Sequence, residues 1–189
     1  MGAMFDVDEL VAGCQAAIAE TEPRLAIRDV LRRALERPSE VGDALRPESA
    51  GITLLHRADD LTVLHAVWAP GMRLFPHDHR MWAAIGIYAG QEDNAHYRRA
   101  RPGAGDLVES GGTSHTEGDV LLLGDDAIHA VSNPLGRLTG AIHVYGGDFV
   151  DHPRSQWGPG PVEERPYDFA VVQEEFAKAN RAWLGATSA

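Results

Sequence analysis

Apolar positions recur at helical spacing near the start of the chain, where Val7, Leu10, Val11, Cys14 and Ile18 share one face behind Asp6, a side chain able to cap the first turn. An amphipathic helix is predicted there. A second follows, with Pro23 at a first helical position, Ile27, Val30, Leu31, Ala34 and Leu35 on one face, and Pro38 as its end. From Gly51 the pattern changes to short runs rich in β-branched and aromatic residues, bounded by Gly, Pro, Asn and Asp: ITLLH, LTVLHAVW, MWAAIGIY, NAHYRR, DVLLL, IHAVS and GAIHVY. Many short strands separated by turn residues predict a sandwich or barrel. After Pro166 helical spacing returns. Phe169, Val172, Phe176 and Trp183 share a face, Asp168 can cap it, and the outside of the β core is its expected packing surface.

Turn residues support this division, since 23 of the 31 glycines and prolines fall between Gly51 and Pro161. A length of 189 residues suits one domain, 1–189, with a helical arm (1–48), a β-barrel core (49–152) and a loop plus C-terminal helix (153–189). The Gly-Pro-Gly-Pro run from Gly158 to Pro161 is read as a stiff loop within it. The formal charge of −11 repels phosphate backbones and anionic lipid surfaces, so neither a nucleic acid nor a membrane is an expected partner. No apolar run approaches a membrane span, and MGAMFDVDEL lacks the features of a signal peptide, which makes the cytoplasm the expected compartment. The single cysteine, Cys14, excludes an intrachain disulfide and a Cys-based zinc finger. Imidazoles must then supply most of any metal site.

All nine histidines lie between His56 and His152. In Pro76-His77-Asp78-His79, positions i and i+2 of a strand turn both imidazoles to one side while Asp78 points away. Gly71 precedes His77 by six residues and Gly90 follows His79 by eleven; a later stretch reads Gly118-x5-Gly124-Asp125-Asp126-Ala127-Ile128-His129-x3-Asn133. His56, His65, His96, His115 and His152 are read as exposed or simply hydrogen-bonded, and Trp68 and Trp82 as packing aromatics.

The two stretches resemble the paired motifs of the cupin superfamily, G-x5-H-x-H-x3-E-x6-G and G-x5-P-x-G-x2-H-x3-N. The resemblance implies a mainly β fold, a double-stranded β-helix barrel carrying the N-terminal helical arm and the C-terminal helix, with His77, His79 and His129 on one divalent metal. The proline and glycine of the second motif are Gly124 and Asp126 here, and the family's glutamate ligand is Ala83. Three neutral imidazoles leave the ion its full charge, which favours an anionic ligand such as a thiolate.

The segment WAPGMRLFPHDHRMWAAIGIYAGQE, from Trp68 to Glu92, and the later Ala141-Ile142-His143-Val144-Tyr145 are similar to bacterial thiol dioxygenases, the group of cysteine dioxygenase and 3-mercaptopropionate dioxygenase. This implies Fe(II), a small thiol and dioxygen as reactants, a sulfinate product, and catalytic roles for Tyr145 and His143 outside the metal. Ala141 replaces the serine that precedes this pair in the family. The family's crosslinking cysteine falls at Ala83 or Ala84, and its carboxylate-holding arginine or glutamine is missing near 52–55. Arg73, Arg57 and Arg80 are candidates for a replacement positive group, Arg73 by strand alternation from His77. Two other classes fit the residues: a cupin isomerase, lyase or hydrolase using zinc, nickel or manganese, and a non-catalytic sensor of a metal or small molecule.

Overall fold

The computed structural model describes residues 5–160 and 162–187. Helices α1 (Val7–Ala17), α2 (Pro23–Ala34) and α3 (Pro38–Leu45) come first, and α1 is capped by Asp6, whose carboxylate accepts the Glu9 backbone N–H at 3.0 Å. Pro38 does not simply end the second helix, as the sequence reading had it. The helix stops at Ala34, and Pro38, whose ring presets a helical φ, opens α3 at its first turn.

Strands β1 (Gly51–Arg57), β2 (Thr62–Trp68), β3 (Arg73–Asp78), β4 (Ala83–Ala89), β5 (Gln91–Arg99), β6 (Leu107–Thr116), β7 (Val120–Leu123), β8 (Ile128–Ser132), β9 (Thr139–Tyr145), β10 (Ser155–Trp157) and β11 (Glu164–Pro166) form two antiparallel sheets, followed by helix α4 (Phe169–Thr187). One sheet has the order β1-β2-β9-β4-β7 and the other β11-β10-β3-β8-β5-β6. This is the mainly β, two-sheet architecture that the resemblance implied. β6, β10 and β11 were not among the expected strands. β6 is polar and almost wholly exposed, so no burial pattern marks it; β10 and β11 have three residues each and lie in the segment read as loop, where Gly158 to Gly160 connect them and Pro161 falls outside the described residues.

Strand alternation sorts the first sheet's side chains. Val63, Ala84, Ile142 and Val144 face Leu10, Cys14, Ile27, Leu31 and Val41 of the helices, whereas Leu64, Ala83, Ile85, Ala141 and Tyr145 face the interior between the sheets. Both faces are covered, which explains strands that read as continuous apolar runs. The last helix closes one end of that interior. Phe176 stacks on Trp68 at 5.2 Å, and Val172 joins the cluster of Ala66, Leu74 and Val131, while Phe169 from the same expected face stays 41% exposed. Asp168 caps this helix through the Ala170 N–H at 2.9 Å.

Two motif residues act on the frame. Gly90 turns between β4 and β5 at φ +82, and a Cβ there would sit 2.4 Å from Thr139 Oγ1, so the turn needs glycine. Asn133 donates from Nδ2 to the carbonyls of Trp68, Ala69 and Arg137, tying the end of β8 to the end of β2. Among the described residues no helix is long and apolar enough to cross a membrane.

Candidate metal centre

β3 and β8 are neighbours, and their register sets His77 directly opposite His129. The ladder slips between Leu74 and His77, as a proline without an N–H requires. His79 lies just past the end of β3, and one ring nitrogen from each of the three histidines lies within 4.8 Å of the others. All three are buried, and Asp78 turns to the other side, where its carboxylate accepts the Ser155 N–H at 2.6 Å.

The donor set suits a divalent ion. His77 Nδ1–H donates to the Phe75 carbonyl at 3.1 Å, which leaves Nε2 as its free lone pair. His129 Nδ1 meets Asn94 Oδ1 at 2.6 Å, and its Nε2 lies 3.2 Å from His79 Nε2. Metal–nitrogen bonds of about 2.0–2.1 Å bring ligand nitrogens to about 3–3.4 Å from one another, so that spacing fits shared coordination. Burial pushes His77 down to about 4, and burial with neighbouring imidazole charges holds His79 and His129 well below the ordinary histidine value. Three neutral imidazoles therefore face one point at neutral pH. Ala83 stands opposite Tyr145 in the β4–β9 ladder and offers the centre no carboxylate.

His143 and Tyr145 project from β9 on the same side, as i and i+2, toward this centre. The Tyr145 ring meets the His79 ring edge-on at 5.0 Å, and its hydroxyl lies 3.1 Å from His143 Nδ1. Burial raises the phenol's pKa, so the hydroxyl keeps its proton.

Several groups at the centre escaped the sequence reading. Glu92, fully buried, accepts Trp68 Nε1–H at 2.9 Å and Asn94 Nδ2–H at 3.1 Å, and its Oε2 faces His143 Nε2 at 3.6 Å. Burial alone would raise its pKa, but His143, Asn94 and Trp68 outweigh it and hold the group below the ordinary carboxylate value. Glu92 and Asn94 share a face of β5; starting that strand at Asn94 left Glu92 in a turn and hid the alternation.

None of the three arginines singled out in the sequence lines the cavity at the three-histidine cluster. Arg73 is exposed because the register slip undoes the alternation from His77; Arg57 pairs with Asp148 and Asp151; Arg80 bonds Asp78 and Ser155. Among the described residues the buried cation is Arg154, between the rings of Phe149 and Tyr167 at 3.9 and 3.7 Å, its Nη1 donating to the Phe149 and His152 carbonyls. Its Nε is buried with no hydrogen-bond partner among the described residues. Phe149 and Tyr167, with Ile52, Leu64, Trp68 and the histidines, line a cavity of about 20 Å³. That is room for about one water, so a larger ligand enters only if the covering rings move. A more open groove of about 680 Å³ between Asp78, Arg98 and Asp126 includes none of the three clustered histidines.

Of the remaining histidines, His65 is buried and bonded to the Tyr88 hydroxyl at 2.7 Å, and His96 and His115 both meet Thr113 Oγ1, at 3.1 and 3.0 Å.

No protein-family model matches the chain. Among solved structures, it is similar to an RmlC-like cupin family protein with a double-stranded β-helix fold from Methanocaldococcus jannaschii, 12% identical over 55% of this chain and 84% of that one, TM-score 0.45. A cupin superfamily protein from Desulfitobacterium hafniense is 14% identical over 55% and 82%, TM-score 0.41. A protein of unknown function with a cupin-like fold from Ralstonia eutropha is 21% identical over 71% and 75%, TM-score 0.44. At these values the likeness is one of strand arrangement, and the chemistry of the centre is carried by its own side chains.

Proposed function

We propose that the protein is a mononuclear non-haem iron dioxygenase that oxidises a small thiol to a sulfinate. The observation that carries this reading is the buried cluster of three imidazoles with no carboxylate among them and the His143–Tyr145 pair at its edge. His77, His79 and His129 would hold Fe(II), which when bound would supply the redox chemistry that joins dioxygen to a thiol's sulfur. In the overall change R–SH + O2 → R–SO2⁻ + H⁺, sulfur is oxidised, dioxygen is reduced, both oxygen atoms end on sulfur, and the thiol proton is released.

The protein's own residues bind, orient and shield. Tyr145 keeps its proton, which His143 Nδ1 accepts in the resting protein, and can swing it from there into a hydrogen bond toward the reacting atoms. The apolar walls and the Phe149 and Tyr167 rings exclude bulk water. Arg154, behind those rings, favours a thiol that also carries an anionic group, and the dimensions of the cavity favour a compact one.

The test is oxygen uptake by Fe(II)-loaded protein with a panel of small thiols, with sulfinate identified by mass spectrometry. Uptake matched by sulfinate is expected for at least one anionic thiol; no uptake at full iron occupancy overturns the reading. Stable zinc in protein purified without added iron would favour an isomerase, lyase or hydrolase instead.

A further inference from the structure

Glu92 is fully buried, is not part of the three-histidine cluster, and touches both sides of the centre. It bonds Asn94, which bonds His129; it also faces His143, which bonds Tyr145. A carboxylate only accepts hydrogen bonds and an indole only donates them, so the Trp68–Glu92 contact has one possible polarity. The rest follows in order. Asn94 gives its NH2 to Glu92 Oε1, so its carbonyl oxygen is the atom that faces His129 Nδ1. That oxygen can only accept. His129 therefore carries its proton on Nδ1 and presents its lone pair on Nε2, the nitrogen 3.2 Å from His79 Nε2. The other branch runs alike: His143 Nε2 faces a carboxylate oxygen, which favours the proton on Nε2 and leaves Nδ1 to accept from the Tyr145 hydroxyl.

We propose that Glu92 is the positioning residue of the centre: through Asn94 it fixes the metal-binding tautomer of His129, and by direct approach it orients His143 and hence Tyr145. This rests on reading the three histidines as a metal site. Glu92 touches neither ligand nor substrate; it is the fixed acceptor at the root of one hydrogen-bond chain, through Asn94, and the charge that His143 Nε2 faces at 3.6 Å. Outer partners of this kind change metal affinity by about 10- to 100-fold when removed.

A near-isosteric change isolates the polarity. In Glu92→Gln, Trp68 Nε1–H still requires an oxygen, so the new NH2 takes the place of Oε1 and opposes the NH2 of Asn94. Asn94 must then turn its amide, which presents NH2 to His129 Nδ1 and moves the imidazole proton to Nε2. The double variant Glu92→Gln/Asn94→Asp exchanges donor and acceptor at the same volume and net charge, and returns an acceptor oxygen to His129.

The experiment measures Co(II) affinity of the full chain and, by nitrogen-15 NMR of the metal-free protein, the tautomers of His129 and His143. Expected are Nδ1–H on His129 and Nε2–H on His143 in the wild type, with Co(II) binding weakened about 10- to 100-fold in Glu92→Gln and largely restored in the double variant. An Nε2–H tautomer of His129 in the wild type, unchanged affinity in Glu92→Gln, or no restoration in the double variant overturns the proposal. If Glu92→Gln does not fold, the double variant and the wild-type tautomers still decide it. A wild type that binds no Co(II) removes the metal reading itself, whereas the tautomers test Glu92 without any metal.

Discussion

The guanidinium of Arg154 lies 3.7 Å from the centre of the Tyr167 ring, a cation stacked on an aromatic face in a position that burial denies to water. An anionic group on a ligand in the adjoining cavity would find there the nearest buried positive charge. Arg154→Gln is expected to raise KM for a carboxylate-bearing thiol about 10- to 100-fold, the worth of one charge-assisted hydrogen bond, while KM for an uncharged thiol changes little. Steady-state oxygen uptake with the two thiols checks this, and parallel shifts for both would return Arg154 to a purely packing role.

His77→Ala and His129→Ala each remove one of three neutral donors from a buried cluster. Both variants should fold and retain far less than the wild-type metal after dialysis. Elemental analysis beside circular dichroism checks the pair of statements together.

Tyr145→Phe deletes only the hydroxyl that meets His143 Nδ1 and leaves the stacking on Phe149 at 4.0 Å. Metal content should stay at the wild-type level while kcat falls about 100-fold, as when a single aimed donor is lost. Equal turnover would assign the tyrosine to packing alone.

The metal-free protein should lose stability as the pH falls from about 6.5 toward 4. Burial pushes His65 and His77 down to about 4 in the folded chain, whereas an unfolded histidine takes up its proton near the ordinary value of about 6.5. Between those limits the unfolded state binds more protons, so the stabilisation is complete above the unfolded value and is lost on acidification. Urea denaturation at pH 7 and pH 5 measures it. Equal midpoints at the two values would contradict the buried, neutral state of these rings.

Gly140 in β9 lies beneath the Tyr88 ring, where a Cβ would fall 2.1 Å from the nearest ring carbon. Backbone on one side and a fully buried ring on the other leave little room to give. Gly140→Ala should cost about 1–3 kcal/mol, and thermal denaturation should show a lower Tm with the metal ligands untouched.

The parts of the molecule that follow a period could be read from the sequence. The α1 and α2 faces, the Asp6 cap and the apolar runs of β2, β4 and β9 all appear as spacing. The shared side of His77 and His79 follows from strand alternation, whereas His129 joins them only through the motif resemblance, because the β3–β8 register that sets it opposite His77 is a contact distant in sequence. What stayed hidden depends on contacts distant in sequence. Arg154 comes near the centre only because β10, a strand of three residues with no hydrophobic signature, joins β3 through Gln156 opposite His77. Glu92 looks like one more acidic residue among 28 until Trp68 and His143 are seen to converge on it. Pro38 illustrates the reverse difficulty, since one fixed φ suits both a stop and a start.

All three clustered histidines hang from the second sheet, His77 and His79 from β3 and its end and His129 from β8, whereas Trp68, His143 and Tyr145 belong to the first. In the proposed reading, affinity for an ion would therefore belong to one layer and reactivity to the gap between two. A substitution that swells the interior far from the centre would stretch the 3.6 Å reach from Glu92 to His143 before it disturbed the histidine triangle. Such a variant would still load its ion while losing its rate.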